Sequence, residues 1–135
     1  MEKYESKQHQ IRRPAEQVYA IISDFRNFTP AVQGRVEDWH AEESECSFRV
    51  KGVSVRLRMV DKEPGNFVKI SGDEHSPFDF TMWVQLKQVA DYDTRMRMVL
   101  HIKLNMVMKM MVGSKLKDGL DQMAEQMARA FNGEF

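Results

Sequence analysis

Residues 105–131, NMVMKMMVGSKLKDGLDQMAEQMARAF, decide the architecture. Met108, Val112, Leu116, Leu120, Met123, Met127 and Phe131 recur three or four positions apart. At about 3.6 residues per turn this spacing holds one apolar stripe on one side of a helix. Lys115, Lys117, Asp118, Asp121, Glu125 and Arg129 take the other side. At ~1.5 Å per residue, roughly 26 residues make a rod of about 40 Å, long enough to cross a small domain. The stripe needs cover, and the chain before it must supply that cover. Gly113 and Gly119 interrupt the helix, each at a cost of about 1 kcal/mol relative to alanine. Close packing is the expected reason for both, with room for a ligand as the alternative.

Upstream, between residues 36 and 105, the period changes to two. Strands are expected at residues 36–41, 45–50, 53–62, 66–72, 78–89 and 94–104. Local turn chemistry separates them: Glu42-Glu43-Ser44, Lys51-Gly52, Pro64-Gly65, the loop 72–77 and residues 90–93. Short links imply antiparallel neighbours. Phe78, Phe80, Met82, Val84 and Leu86 share one parity; Met96, Met98, Leu100, Ile102 and Leu104 share another, as do Val53, Val55, Leu57 and Met59. The sheet therefore has one dry face and one wet face.

Before it, residues 4–11 have the length of a strand but are polar on both parities. Pro14 is expected at the first helical position, where its missing N–H is no loss. Val18, Tyr19, Ile21, Ile22 and Phe25 give that helix an apolar face, and residues 24–30 break it, with a further turn at 29–32. An apolar helix stripe and an apolar sheet face must bury each other. The expected fold is thus α+β, with a curved antiparallel sheet around a long C-terminal helix in the order β-α-α-β6-α.

A chain of 135 residues is expected to form one domain, residues 1–135. Lys plus Arg and Asp plus Glu are 20 each, so no global field draws the chain to nucleic acid or an anionic membrane. The one cysteine, Cys46, permits no internal disulfide and suits a reducing compartment. Without an apolar leader or an uninterrupted run of about 18 apolar residues, a soluble cytoplasmic protein with no membrane span is expected. Methionine is abundant, 11 in all.

The order of elements, with IRRPAEQVYAIISDFRNF near the start and KLKDGLDQMAEQMARAF in the final helix, resembles the lipid-transfer and birch-pollen-allergen superfamily called SRPBCC or START-like. VRLRMVDKEPG, SPFDFTMWVQL and KLNMVMKMMVGSKLKDGLDQMA are similar to its small bacterial members of the polyketide cyclase/dehydrase-like type. The resemblance spans nearly the whole chain. It implies a helix-grip fold, a seven-strand sheet gripping the last helix, often with an apolar cavity between them. It carries over no invariant catalytic motif.

Catalysis in such a cavity needs polar groups projecting inward. The inward parities of the three best-defined strands contain no Asp, Glu, His, Lys or Arg, so no catalytic residue is assigned. The nearest polar candidates are His9, Trp39, His40 and Asn105. His9, His40, His75, His101 and Cys46 are scattered without metal-ligand spacing, so neither a metal nor a cofactor is expected. His101 falls on the wet parity, where a solvated imidazole is expected, and His75 in a polar loop.

The expected role is binding, and by extension transport, of a small hydrophobic ligand such as a lipid or polyketide. Its expected walls are Phe48, Val55, Leu57, Met59, Phe80, Met82, Met96 and Met98 on the sheet and Leu116, Leu120, Met123 and Met127 on the helix. Methionine suits ligands of varied shape, and residues 106–111 would form the mouth. The competing reading of these side chains is ordinary core filling. A cyclase- or dehydratase-like enzyme is the first alternative. The second is a protein-interaction domain or homodimer acting through the outer sheet face, where Arg49, Lys51, Arg56, Arg58, Lys69, Lys87, Arg95, Arg97 and Lys103 surround Trp83. With one interleaved aromatic, that face is not expected to bind nucleic acid.

Overall fold

The computed structural model describes residues 1–32, 34–72 and 79–133. Its strands are β1 (Glu2–Glu5), β2 (His9–Ile11), β3 (Glu37–Ala41), β4 (Glu45–Val50), β5 (Val53–Glu63), β6 (Phe67–Gly72), β7 (Phe80–Ala90) and β8 (Asp93–Ile102). The helices are α1 (Ala15–Ile22), α2 (Thr29–Val32) and α3 (Met106–Phe131), with a 3₁₀ turn at Phe25–Phe28. All strands join one antiparallel sheet in the order β1-β8-β7-β6-β5-β4-β3, and β2 pairs with β8 beside β1. The arrangement is the expected α+β helix grip.

Turn chemistry accounts for the hairpins. Lys51 and Gly52 between β4 and β5 both adopt positive φ, 51° and 80°, which turns the chain within two residues. Gly65 at φ 77° reverses it between β5 and β6. The expected strand start at Phe78, the loop 72–77 beyond Gly72 and His75 lie outside the described residues.

The first strand is split, and the split explains its unclear pattern. Tyr4 pairs with Leu100, Ser6 exchanges bonds with Met98 through both its backbone and its hydroxyl, and His9 pairs with Met96. Three residues thus span from Ser6 to His9 where β8 spans two, from Met98 to Met96. This extra residue is a bulge that flips the alternation, so even positions face inward before it and odd positions after it.

Pro14 is not the first helical residue as expected. It lies in extended conformation just before α1, at φ −62° and ψ 148°, and its carbonyl accepts from Gln17 and Val18. The ring supplies the right φ but the residue stays outside the helix, where it lacks no donor.

The core lies between the inner sheet face and the helices. Ile11, Val18, Ile22, Val68, Ile70, Val84 and Met96 are fully enclosed, joined by Phe25, Met98, Leu120 and Ala124. Helix α1 rests on β6 and β7, and α3 on β1, β2 and β8. Among the described residues no helix is long and apolar enough to cross a membrane.

Candidate functional site

Polar contacts cap α3 and hold it in place. The Asn105 side chain caps its first turn by accepting from the Met108 N–H at 2.8 Å. Midway, Asp121 accepts from the Lys7 N–H at 2.9 Å and lies 3.2 Å from His9 Nε2. At the far end Asn132 accepts from the Arg12 N–H and donates to the Gln10 carbonyl. Asp121 and Asn132 tie the helix to the bulge and β2, so it sits toward one side of the sheet.

This seat changes which residues touch the sheet. The buried positions of α3 are Gly113, Leu120, Ala124 and Ala128. A Cβ on Gly113 would stand 3.1 Å from the Tyr4 hydroxyl, so close packing explains that glycine. Gly119 has nothing within 4 Å, and packing does not explain it, contrary to expectation. Of the expected helix walls, Leu120 is buried and Leu116 and Met127 are half-buried. Met123 is 48% exposed and is no part of the core stripe. At about 100° per residue Met123 lies about 160° around the helix from Asp121, and therefore on the flank away from β1 and β2.

The sheet shows a matching gradient. Met59, Met96 and Met98 are buried, whereas Phe48, Val55, Leu57, Phe80 and Met82 on the same inner face are half-buried. Trp39 extends this face from β3, its ring 6.1 Å from Phe48 and its Nε1 donating to Thr29 Oγ1 at 2.9 Å. The inner face is therefore tightly covered under α3 and α1 and partly open at β4 and β5.

The polar candidates are not brought together. His9 is held at Asp121, Trp39 at Thr29 and Asn105 at the helix cap, while His40 pairs in register with Ser47 on the opposite sheet face from Cys46. Burial pushes the Cys46 thiol up to about 12. Backbone bonding from Lys7, then the His9 side chain, holds the Asp121 carboxyl below its ordinary range. Among the described residues no group of three His, Cys, Asp or Glu side chains is placed to hold a metal.

The outer face of β3, β4 and β5 carries two shallow open hollows of about 320 and 340 Å³, lined by His40, Ser47 and Arg56 in both cases. Four basic residues of the outer sheet face are answered. Arg49 meets Asp38, Arg58 meets Glu45, Arg95 meets Asp93 and Arg97 meets Glu5, at 2.9–3.7 Å. Lys51, Lys87 and Lys103 of the same expected surface are exposed and form no ion pair among the described residues. The expected solvated His101 is corrected. Its ring stands 4.7 Å from Trp83, its Nε2 is covered without a hydrogen-bond partner among the described residues, and Val99 beside it is buried. Trp83, with Lys69 Nζ 5.4 Å above its ring, has folded over its strand neighbours.

Some of these relations had no signal in the spacing. Asp121 belongs to the charged side of the helix by pattern, and only the bulge at residues 6–8 brings a backbone donor to it. Tyr4 could be paired with Gly113 only once the strand edge was known.

Comparisons with known proteins agree with the geometry. A family model described as "Polyketide cyclase / dehydrase and lipid transport" matches residues 5–131. A conserved protein from Geobacillus kaustophilus superposes with a TM-score of 0.73 at 12% identity, covering 97% of this chain and 95% of its own. A protein from Arthrobacter aurescens gives 0.70 at 14% identity, with 97% and 86% covered. The Aha1 dimer from Colwellia psychrerythraea gives 0.59 at 16% identity, with 90% and 97% covered. At these identities the likeness is one of fold. No curated protein sequence matches the chain.

Proposed function

Because this chain belongs to the polyketide cyclase/dehydrase and lipid transport family, we propose that it binds a small hydrophobic molecule, a lipid or a polyketide, between its sheet and its C-terminal helix. The supporting observation is the half-covered apolar face of β4 and β5, where Phe48, Val55 and Leu57 are half-buried, together with Met123, left exposed on the helix flank away from β1 and β2. Phe80, Met82, Leu116 and Met127 continue this wall, and Met59, Met96, Met98 and Leu120 form its floor. Binding draws on desolvation of apolar surface, worth about 25 cal/mol per Å² before association costs. We read residues 1–135 as one START-like unit working in the cytoplasm, with transport of the ligand as the natural extension.

Binding is preferred to cyclase- or dehydratase-like catalysis because the four polar candidates are separated: the His9, Trp39 and Asn105 side chains are engaged elsewhere, and His40 lies on the outer sheet face. An acid or base placed to act on a bound ring would need to project from the inner face.

The test is native mass spectrometry of the purified protein with extracted lipids. Retention of an apolar molecule is expected, and Leu57→Asp and Met123→Asp should both reduce it. A protein that retains nothing, with an interior filled in an experimental structure, overturns the reading.

A further inference from the structure

The first two turns of α3 carry side chains that the fold does not use. Met106, Val107, Met110 and Met111 are 79, 65, 83 and 68% exposed. At about 100° per residue they cover roughly 140° of the helix circumference, a contiguous apolar cap. Exposed patches of this kind mark surfaces that meet something other than water.

Within residues 103–117 the charge has one sign, with Asp118 the first acid beyond them. Lys103, Lys109, Lys115 and Lys117 fall in a segment that contains no Asp or Glu from residue 103 to residue 117. Lys109 is engaged by Glu2 at 3.2 Å. Lys103, Lys115 and Lys117 are exposed and form no ion pair among the described residues. A chain with no net charge thus concentrates unanswered positive charge beside its most exposed apolar side chains.

We propose that this end of α3 docks on a lipid bilayer containing anionic headgroups. The four apolar side chains enter the boundary between headgroups and acyl chains, and the three lysines meet lipid phosphates around them. Charge complementarity selects this occupant. A second copy seated on the same patch would gather six unopposed lysine charges around one apolar contact, with no acid of the segment to answer them. Docking of this kind is peripheral and stands whether or not the half-open inner face holds a ligand.

Vesicle flotation tests it, using vesicles of phosphatidylcholine alone and of phosphatidylcholine with an equal part of phosphatidylglycerol. The protein should float with the mixed vesicles, remain behind with the neutral ones, and release as salt is added. The double variants Met110→Ser with Met111→Ser, and Lys115→Glu with Lys117→Glu, should each weaken partitioning by about tenfold. Neither should change the melting temperature appreciably, because these side chains are exposed. A wild-type protein that ignores the mixed vesicles, or variants that bind as well as it does, overturns the proposal. So does a dimer in sedimentation that the two serine substitutions break, which would assign the patch to a second copy.

Discussion

Gly113 on α3 and Tyr4 on β1 approach so closely that a methyl group on the glycine would stand 3.1 Å from the phenol oxygen. Alanine at this position gains helix propensity but must displace the Tyr4 hydroxyl by a few tenths of an ångström. Gly119, six residues on, meets nothing within 4 Å. Gly119→Ala should therefore stabilise the protein by about 0.5–1 kcal/mol, and Gly113→Ala should stabilise it less. Replacing Tyr4 with Phe in the Gly113→Ala background should recover part of the difference. A denaturant double-mutant cycle measures this, and equal gains at both glycines would show that the contact does not limit the helix.

Met98 and Met123 separate core from candidate site. Met98 is 1% exposed, so Met98→Ala should cost about 2–5 kcal/mol. Met123 is 48% exposed, and Met123→Ser should cost less than about 0.5 kcal/mol while weakening retention of an apolar ligand. Chemical denaturation and native mass spectrometry on both variants test the separation. A large stability loss at Met123 would place it in the packed interior instead.

Cys46 faces the core, and burial pushes its thiol up to about 12. Thiolate is the reactive form, so the folded protein should resist iodoacetamide at mildly alkaline pH and react once denaturant opens it. The labelling rate against denaturant concentration should follow the unfolding transition seen by circular dichroism. Rapid labelling of the native protein would contradict this burial.

Asp121 makes stability depend on acid. Its carboxyl is held below the ordinary value of 3.8, chiefly by the Lys7 N–H and next by His9. A lowered folded-state value means that the charged form is favoured by folding. The contribution is present above pH 3.8 and is lost as pH falls through the lower folded value. Asp121→Ala should cost about 1 kcal/mol at neutral pH, and the gap from wild type should narrow below the carboxylate range. Urea melts across acidic pH test this; a gap unchanged by acid would assign the loss to something other than the charge.

Much of the architecture was legible because period and punctuation agree. The spacing of Leu116, Leu120 and Met127 identifies a helix, the two-residue alternation through Phe80–Leu86 and Met96–Ile102 assigns the sheet faces, and Lys51-Gly52 and Pro64-Gly65 mark hairpins that the backbone takes up with positive φ at Lys51, Gly52 and Gly65. These are local properties, carried by neighbouring residues whatever the rest of the chain does. The first strand was less legible because its bulge reverses the inward parity between Tyr4 and His9, and a pattern read at constant period averages the two halves.

The sequence by itself determined that an apolar helix and an apolar sheet face must cover each other. Only the tertiary structure decided where on the sheet the helix rests. Lys7 and the Arg12 N–H reach Asp121 and Asn132 across more than a hundred residues, and they draw α3 toward the β1 and β2 edge. Periodicity places Met123 and Leu120 on one stripe, but a helix seated off-centre buries Leu120 and leaves Met123 on its open flank. It also leaves Phe48, Val55 and Leu57 half-covered although they share the alternation of the fully buried strands. Spacing along a chain sets direction from a helix axis or a sheet plane; the depth of cover at each point is set by the distant groups that anchor one element against another.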